Sequence, residues 1–218
     1  MRLVSFLRPD GTASFGRLDG TKVVDLGGPD GGSLRLALAG GGAPTDAGEA
    51  RDLASVTLLP VIPDPAKILC IGLNFATHVK ETGREQKEYP AVFTRWADTL
   101  VAHGQPLVRP NLSDRFDYEG EVAVIIGKGG RDIVEANAWQ HIAGLCVGQD
   151  VSDRGLQYMG SPAQFNMGKS RRGFSPIGPW VTDMTNNPNR DNLHLGCTVN
   201  GEKRQDTHTN DMIFNIAH

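Results

Sequence analysis

Pro60, Pro63 and Pro65 fall within the seven residues from Leu59 to Pro65. Each proline ring fixes φ and removes a backbone donor, so this run can continue neither a helix nor a central strand. The chain is therefore read as two parts, a small β-rich N-terminal domain over residues 1–64 and a larger domain over 65–218. In the first part, Arg2 to Leu7, Thr12 to Leu18 and Thr21 to Leu26 are β-prone and separated by Pro9-Asp10-Gly11 and Asp19-Gly20, the pattern of an antiparallel meander. Ser33 is placed to cap a short helix from Leu34 to Ala39, and a second short helix is expected over Ala47 to Ala54.

Past the prolines, Lys67 to Leu73 is a continuous apolar run expected to be a buried strand, and Asn74 to Thr82 offers one or two helical turns. Strands are expected over Ala91 to Arg95, Phe116 to Gly127, Ala143 to Asp150, Ile177 to Thr182 and His194 to Asn200, with a helix over Ile133 to Ile142. Asn200-Gly201 is a hairpin turn signal. Without a regular βαβ repeat, the pattern is a strand-dominated α+β fold. Near the end, Thr209 or Asn210 reads as the N-cap of a helix with Met212, Ile213, Ile216 and Ala217 on one face. A helix stopping at His218 is too short to stand alone, so the sequence is expected to lack a C-terminal portion, with its last residues mobile or packed on another subunit.

Composition narrows the function classes. The 218 residues are 39% hydrophobic, enough for a core, and 22 Lys and Arg against 25 Asp and Glu give a net charge of -3. That balance supplies no basic field for nucleic acid or an anionic membrane. No apolar run of about 18 residues occurs, and the N-terminus reaches Arg8-Pro9-Asp10 before a signal-peptide core could form, so a cytoplasmic protein is expected. Cys70, Cys146 and Cys197 lie in apolar stretches without paired spacing and read as reduced core residues.

Glu119 and Glu121 stand two apart in Tyr118-Glu119-Gly120-Glu121-Val122. On a strand, both would project from one face, about 7 Å apart at Cα. Taken alone, that spacing also describes a wet strand face with two solvated glutamates. The apolar run that follows suggests a buried element, where like charges need a counter-charge, and Asp150 at the end of the next strand is the natural third ligand. Three carboxylates without a His or Cys cluster would suit a hard cation such as Mg²⁺, Mn²⁺ or Ca²⁺.

His78 and Glu81 are three apart on the proposed short helix, so the carboxylate can orient the imidazole as a general base. An exposed helix with an incidental pair satisfies the same spacing. Gly168-Lys169-Ser170 lacks the upstream glycine of a phosphate-binding loop, since Ala163 occupies that place, and Lys169 is left as an anion binder. Arg154 and Gln157 could set a cation and an amide beside Asp150, or form a solvated turn.

Together these segments resemble the fumarylacetoacetate hydrolase family, specifically its smaller acylpyruvate hydrolase, oxaloacetate decarboxylase and 2-hydroxyhepta-2,4-diene-1,7-dioate isomerase members. The resemblance runs from Pro65 onward. It rests on Ile71-Gly72-Leu73-Asn74-Phe75 with His78 and Glu81, Tyr118-Glu119-Gly120-Glu121, Gln149-Asp150-Val151-Ser152 with Arg154 and Gln157, Gly168-Lys169-Ser170, Pro176-Ile177-Gly178-Pro179-Trp180, and Val199-Asn200-Gly201-Glu202. Residues 1–64 look like the N-terminal domain that bacterial members often carry.

The resemblance implies a mixed β-roll catalytic domain, commonly a homodimer, in which Glu119, Glu121 and Asp150 bind Mg²⁺ or Mn²⁺. It also implies that His78 and Glu81 activate water, and that Lys169, Arg154 and Gln157 contact a small 2-oxo acid substrate. The expected activity is hydrolytic cleavage of a C–C bond in a short 2,4-dioxo acid of the acylpyruvate or fumarylpyruvate type. Alternatives are a decarboxylase or isomerase of a 2-oxo or hydroxydiene diacid, and a catalytically silent metal-binding fragment. Gly155, Arg171 and Arg172 depart from the family pattern, which points to a different distal group on the substrate. The family's Thr-Gly-Thr-Pro segment is not reached before His218.

Overall fold

The computed structural model describes residues 1–42, 48–83, 85, 88–111 and 114–218. Strands dominate it, as the pattern predicts. In chain order they are β1 (Arg2–Leu7), β2 (Ala13–Asp19), β3 (Lys22–Asp25), β4 (Ala50–Asp52), β5 (Thr57–Leu58), β6 (Ile68–Gly72), β7 (Ala91–Arg95) and β8 (Leu100–Val101). They continue with β9 (Phe116–Asp117), β10 (Gly120–Ile126), β11 (Ile142–Gln149), β12 (Ser152–Asp153), β13 (Ser175–Thr182), β14 (His194–Val199) and β15 (Glu202–His208). The α-helices are short: α1 (Leu34–Ala39), α2 (Ala76–Glu81), α3 (Glu135–Ala138), α4 (Arg154–Gln157) and α5 (Phe165–Lys169). No helix among the described residues is long and apolar enough to cross a membrane.

The principal sheet runs β10-β11-β13-β1-β2-β3-β4, so the N-terminal meander and the larger part share one hydrogen-bonded surface. The junction is the antiparallel pair β1–β13, with Arg2 opposite Thr182 and Leu3 opposite Val181. One apolar cluster also spans both parts, joining Leu3, Phe15 and Leu34 to Ile125, Cys146 and Val181. Fully burying side chains of this size contributes about 1.5 to 3 kcal/mol each, which couples the two parts energetically. Val61 and Ile62, between the prolines, are buried in the same cluster, so the irregular Leu59 to Pro65 run is pinned to the core.

Several local expectations hold in detail. The Ser33 hydroxyl accepts from the Leu36 amide and starts α1. Asn200 and Gly201 both take positive φ, 53° and 83°, and close the β14–β15 hairpin, a conformation open to few residue types besides Asn and Gly. Four other expectations are corrected. The helix foreseen over Ala47 to Ala54 is instead β4 followed by a 3₁₀ turn at Leu53–Ser55, because Ala50–Asp52 pairs with β3; Ala47 lies outside the described residues. Only α3 and a 3₁₀ turn at Trp139–His141 form within Ile133 to Ile142.

The buried strand foreseen at Lys67 to Leu73 is β6, which pairs with β7 in a separate two-stranded sheet and turns Leu69 and Ile71 outward at 63% and 45% exposure. An unbroken apolar run cannot by itself distinguish a strand covered on both faces from one covered on a single face. The helix foreseen from Thr209 is also absent: one 3₁₀ turn at Thr209–Asp211 gives way to extended chain at Met212. There, Ile213 N–H donates to the Asn74 carbonyl at 2.8 Å and Met212 bridges Phe75. Asn74 and the Phe214 backbone exchange two further hydrogen bonds, at 2.8 and 2.9 Å. This pairing satisfies the backbone more fully than one helical turn would.

Candidate active site

The site is built where β10 begins and β11 ends. Their antiparallel register sets Gly120 opposite Gln149 and Glu121 opposite Gly148. Extending it by one residue sets Glu119 opposite Asp150, and the Asp150 amide does donate to the Glu119 carbonyl at 2.8 Å. Glu119 is thus not part of the continuous strand expected over Phe116 to Gly127. The chain changes partner at Tyr118 and Glu119, with β9 pairing β12 before the break and β10 pairing β11 after it. Gln149 and Gln205 hold the break, their side-chain carbonyls accepting from the Glu119 and Gly120 amides at 3.1 and 2.7 Å.

Like charges placed directly across a ladder repel, so Glu119 and Asp150 need a cation between them. Lys169, the last residue of α5 and only 2% exposed, supplies it. Its Nζ donates to Glu119 Oε2 at 2.7 Å, Asp150 Oδ2 at 2.6 Å and Ser152 Oγ at 2.8 Å, using all three of its donors. It also lies over the Phe93 ring, 5.3 Å from the centroid. Lys169 reaches this depth because α5 packs tightly on α4. A Cβ on Gly168 would sit 2.5 Å from Gln157 Cβ and 2.6 Å from its Cα. Gly168→Ala is therefore expected to destabilise the fold by roughly 1 to 3 kcal/mol, read as a lower urea midpoint at unchanged m.

Arg154 opens α4 and closes the other side of the cluster. Its guanidinium donates to Glu119 Oε1 at 2.5 Å, Asp117 Oδ2 at 2.9 Å and Gln157 Oε1 at 2.9 Å. Gln157, expected to touch substrate, is 1% exposed and spends its oxygen on Arg154. Arg95 completes the group: it is 5% exposed and bonds the Asp150 carboxylate, the carbonyls of Lys169 and Val151, and Ser175 Oγ. Nothing in the candidate motifs points to Arg95. The available signal is a single basic residue ending an apolar strand, Ala91-Val92-Phe93-Thr94-Arg95, which is costly to bury without an acidic partner.

Three cations, Arg95, Lys169 and Arg154, thus face three carboxylates, Asp117, Glu119 and Asp150. Burial alone would push Asp150 up, but Arg95 and Lys169 outweigh it and hold its carboxyl below the usual range. Glu121 is the fourth carboxylate, and no hydrogen bond or ion pair of its side chain is found among the described residues. Burial first, then repulsion from Glu119 and Asp150, pushes its carboxyl up to about 8. The oxygens of Glu119 and Asp150 are turned toward Lys169 and the arginines, and no three described His, Cys, Asp or Glu side chains stand ready-made as a metal cage.

His78 and Glu81 lie on α2, Nδ1 3.9 Å from Oε2, with side chains 59% and 69% exposed. Helix α2 is anchored to the C-terminal stretch, where Asp211 caps the Thr77 amide and hydroxyl, both at 3.1 Å. No hydrogen bond or ion pair among the described residues joins this pair to the Lys169 cluster. The thiols of Cys70 and Cys146 are pushed by burial up to about 12, so neither is a nucleophile at neutral pH.

Two family models match successive parts of the chain. Residues 67–218 match the family described as Fumarylacetoacetate (FAA) hydrolase C-terminal, and residues 1–60 match Rv2993c-like, N-terminal. The mitochondrial oxaloacetate tautomerase fahd2 of Xenopus laevis is 36% identical over 163 residues, 74% of this chain and 50% of that protein. The chain thus spans about half the length of that curated relative. Among solved structures, fumarylacetoacetate hydrolase from psychrophilic Exiguobacterium antarcticum has a TM-score of 0.84 at 31% identity, covering 100% of this chain and 78% of that one. The 2-hydroxyhepta-2,4-diene-1,7-dioate isomerase from Mycobacterium marinum has a TM-score of 0.81 at 27% identity, covering 100% and 78%. This chain belongs to the fumarylacetoacetate hydrolase family.

Proposed function

We propose that this protein is a metal-dependent enzyme that hydrolyses the C–C bond of a short 2,4-dioxo acid of the acylpyruvate type. The observation that carries the reading is the charge count at the site, where three cations balance three carboxylates and Glu121 has no counter-ion among the described residues. Glu119, Glu121 and Asp150 form an all-oxygen donor set of the kind that suits Mg²⁺ or Mn²⁺, and these three would hold the ion. When bound there, the ion supplies Lewis-acid polarisation of the 2-oxo acid oxygens.

The chain's own residues do the rest. Lys169 and Arg154 hold the substrate's carboxylate and enol oxygens, and the buried Gln157 keeps the Arg154 guanidinium in place. His78, oriented by Glu81, takes a proton from water as the oxygen attacks the distal carbonyl. The bond between C3 and the distal carbon then breaks, its electron pair leaving on the pyruvate enolate. The products are the carboxylate of the acyl group and, once C3 is protonated, pyruvate. A small soluble 2-oxo acid is the proposed partner, with two copies of the chain forming a dimer and neither nucleic acid nor membrane involved.

A second reading is enol–keto tautomerisation of a 2-oxo diacid. It is favoured by the loose, exposed His78–Glu81 pair and by the tautomerase name of the Xenopus laevis relative. Tautomerisation moves one proton and consumes no water, so it does not need a water-activating dyad. Turnover of an acylpyruvate, oxaloacetate and a hydroxydiene diacid with added Mg²⁺ separates the two. Cleavage of the acylpyruvate that His78→Ala abolishes supports hydrolysis. No cleavage in the unaltered protein, with keto–enol exchange intact in both proteins, would replace hydrolysis by the second reading.

A further inference from the structure

We propose that Arg95 is the positioning residue of this site, fixing the Asp150 carboxylate and the Lys169 main chain relative to each other so that acid and ammonium stand at a set separation. The inference rests on the reading of Asp150 and Lys169 as site residues, and it concerns a side chain outside the proposed substrate and metal contacts.

Arg95 ends β7, which packs against α5, and its guanidinium is buried with almost no water contact. Its five donors in a planar fork meet acceptors from three different stretches of chain. The Asp150 carboxylate and Val151 carbonyl lie just past β11, the Lys169 carbonyl ends α5, and Ser175 Oγ begins β13. Ser175 is itself fixed, its hydroxyl 2.9 Å from Thr99 Oγ1, and Thr99 is fully buried. Asp150 therefore has one carboxylate oxygen engaged by Arg95 and the other by Lys169 Nζ at 2.6 Å. Lys169 is held twice through the same pair, by its carbonyl on Arg95 and its ammonium on Asp150.

The geometry has a chemical consequence. A lysine at position 95 could carry the charge, but its three donors radiate from a single atom and cannot span acceptors as widely separated as those the rigid guanidinium fork reaches. A methionine could fill the volume and hold nothing. Removing the fork leaves the Asp150 carboxylate free to rotate and the end of α5 free to shift, which lengthens the distance that both cation binding and substrate holding depend on.

Three proteins, unaltered, Arg95→Lys and Arg95→Met, are compared well below their unfolding temperatures. The first readout is modification of the Lys169 amine by reductive methylation with formaldehyde and cyanoborohydride, mapped by peptide mass. The second is the Mn²⁺ dissociation constant by calorimetry. Positioning predicts at least tenfold faster methylation of Lys169 and at least tenfold weaker Mn²⁺ binding in Arg95→Met, with Arg95→Lys intermediate in both. A merely structural role would lower the melting temperature and leave Lys169 as protected as before in the folded protein, and that result overturns the proposal. If the unaltered protein fails to bind Mn²⁺, the metal reading falls, and the Lys169 modification rates still decide the role of Arg95.

Discussion

Replacing Lys169 by methionine is expected to cost about 3 to 5 kcal/mol of stability, the usual consequence of removing one partner from a buried ion pair. The substitution keeps an apolar stem of similar length but leaves Glu119 with Arg154 alone and Asp150 with Arg95 alone, facing each other across the end of the ladder with no charge between them. Asp150 loses one of the two cations that hold its carboxyl below the usual range, so the stability this carboxyl contributes above the unfolded carboxylate range of about 4 shrinks in the variant. The deficit should therefore be full at pH 7 and narrow as pH falls to 3, measured by urea unfolding with divalent cations chelated. Turnover of any 2-oxo acid should drop by roughly 100-fold or more, since the lost ammonium is also a preorganised donor to substrate oxygens. A variant as stable as the unaltered protein at both pH values would remove Lys169 from the centre of the cluster.

The second large effect is expected at Glu121, and its sign is opposite. Its carboxyl sits at about 8 in the folded protein against roughly 4.3 in an unfolded chain. Between those values the folded state holds a proton that the unfolded state has released, so with divalent cations chelated this residue makes stability decline as pH rises from about 4.5 to 8. Glu121→Gln should flatten that decline, leaving the variant more stable than the unaltered protein at pH 8 and nearly equal to it at pH 4.5. The same variant should bind Mn²⁺ at least about 100-fold more weakly. Loss of even an outer-shell partner costs roughly 10- to 100-fold, and here a ligand charge is lost. Equal stability profiles in the two proteins would show that Glu121 ionises freely.

Much of this arrangement is legible in the sequence, and the parts that are not share a cause. The meander, the Ser33 cap and the Asn200-Gly201 hairpin are local, each decided by a few neighbouring residues. Glu119, Glu121 and Asp150 stand out because acidic residues beside apolar strands are conspicuous, and Lys169 because a family segment carries it. Arg95 does not stand out, since its role depends on acceptors from β11, α5 and β13 that meet only after folding. The break at Tyr118 and Glu119 is hidden for the same reason: a change of pairing partner leaves no mark on the alternation of residues. The C-terminal stretch misleads because Met212, Ile213 and Ile216 fit a helical period, while Asn74 and Phe75 supply a strand-like partner more than a hundred residues away.

In the proposed function, the uncompensated Glu121 carboxyl takes part in holding a divalent cation beside Glu119 and Asp150. Titrating the protein with Mn²⁺ at pH 7 by calorimetry, in buffers of different ionisation enthalpy, tests it most directly. One site per chain and release of about one proton per ion bound are expected, since the Glu121 carboxyl must give up its proton to serve as a ligand, with the release fading toward pH 9. Absence of binding, or binding that releases no proton and is unchanged by Glu121→Gln, would contradict it.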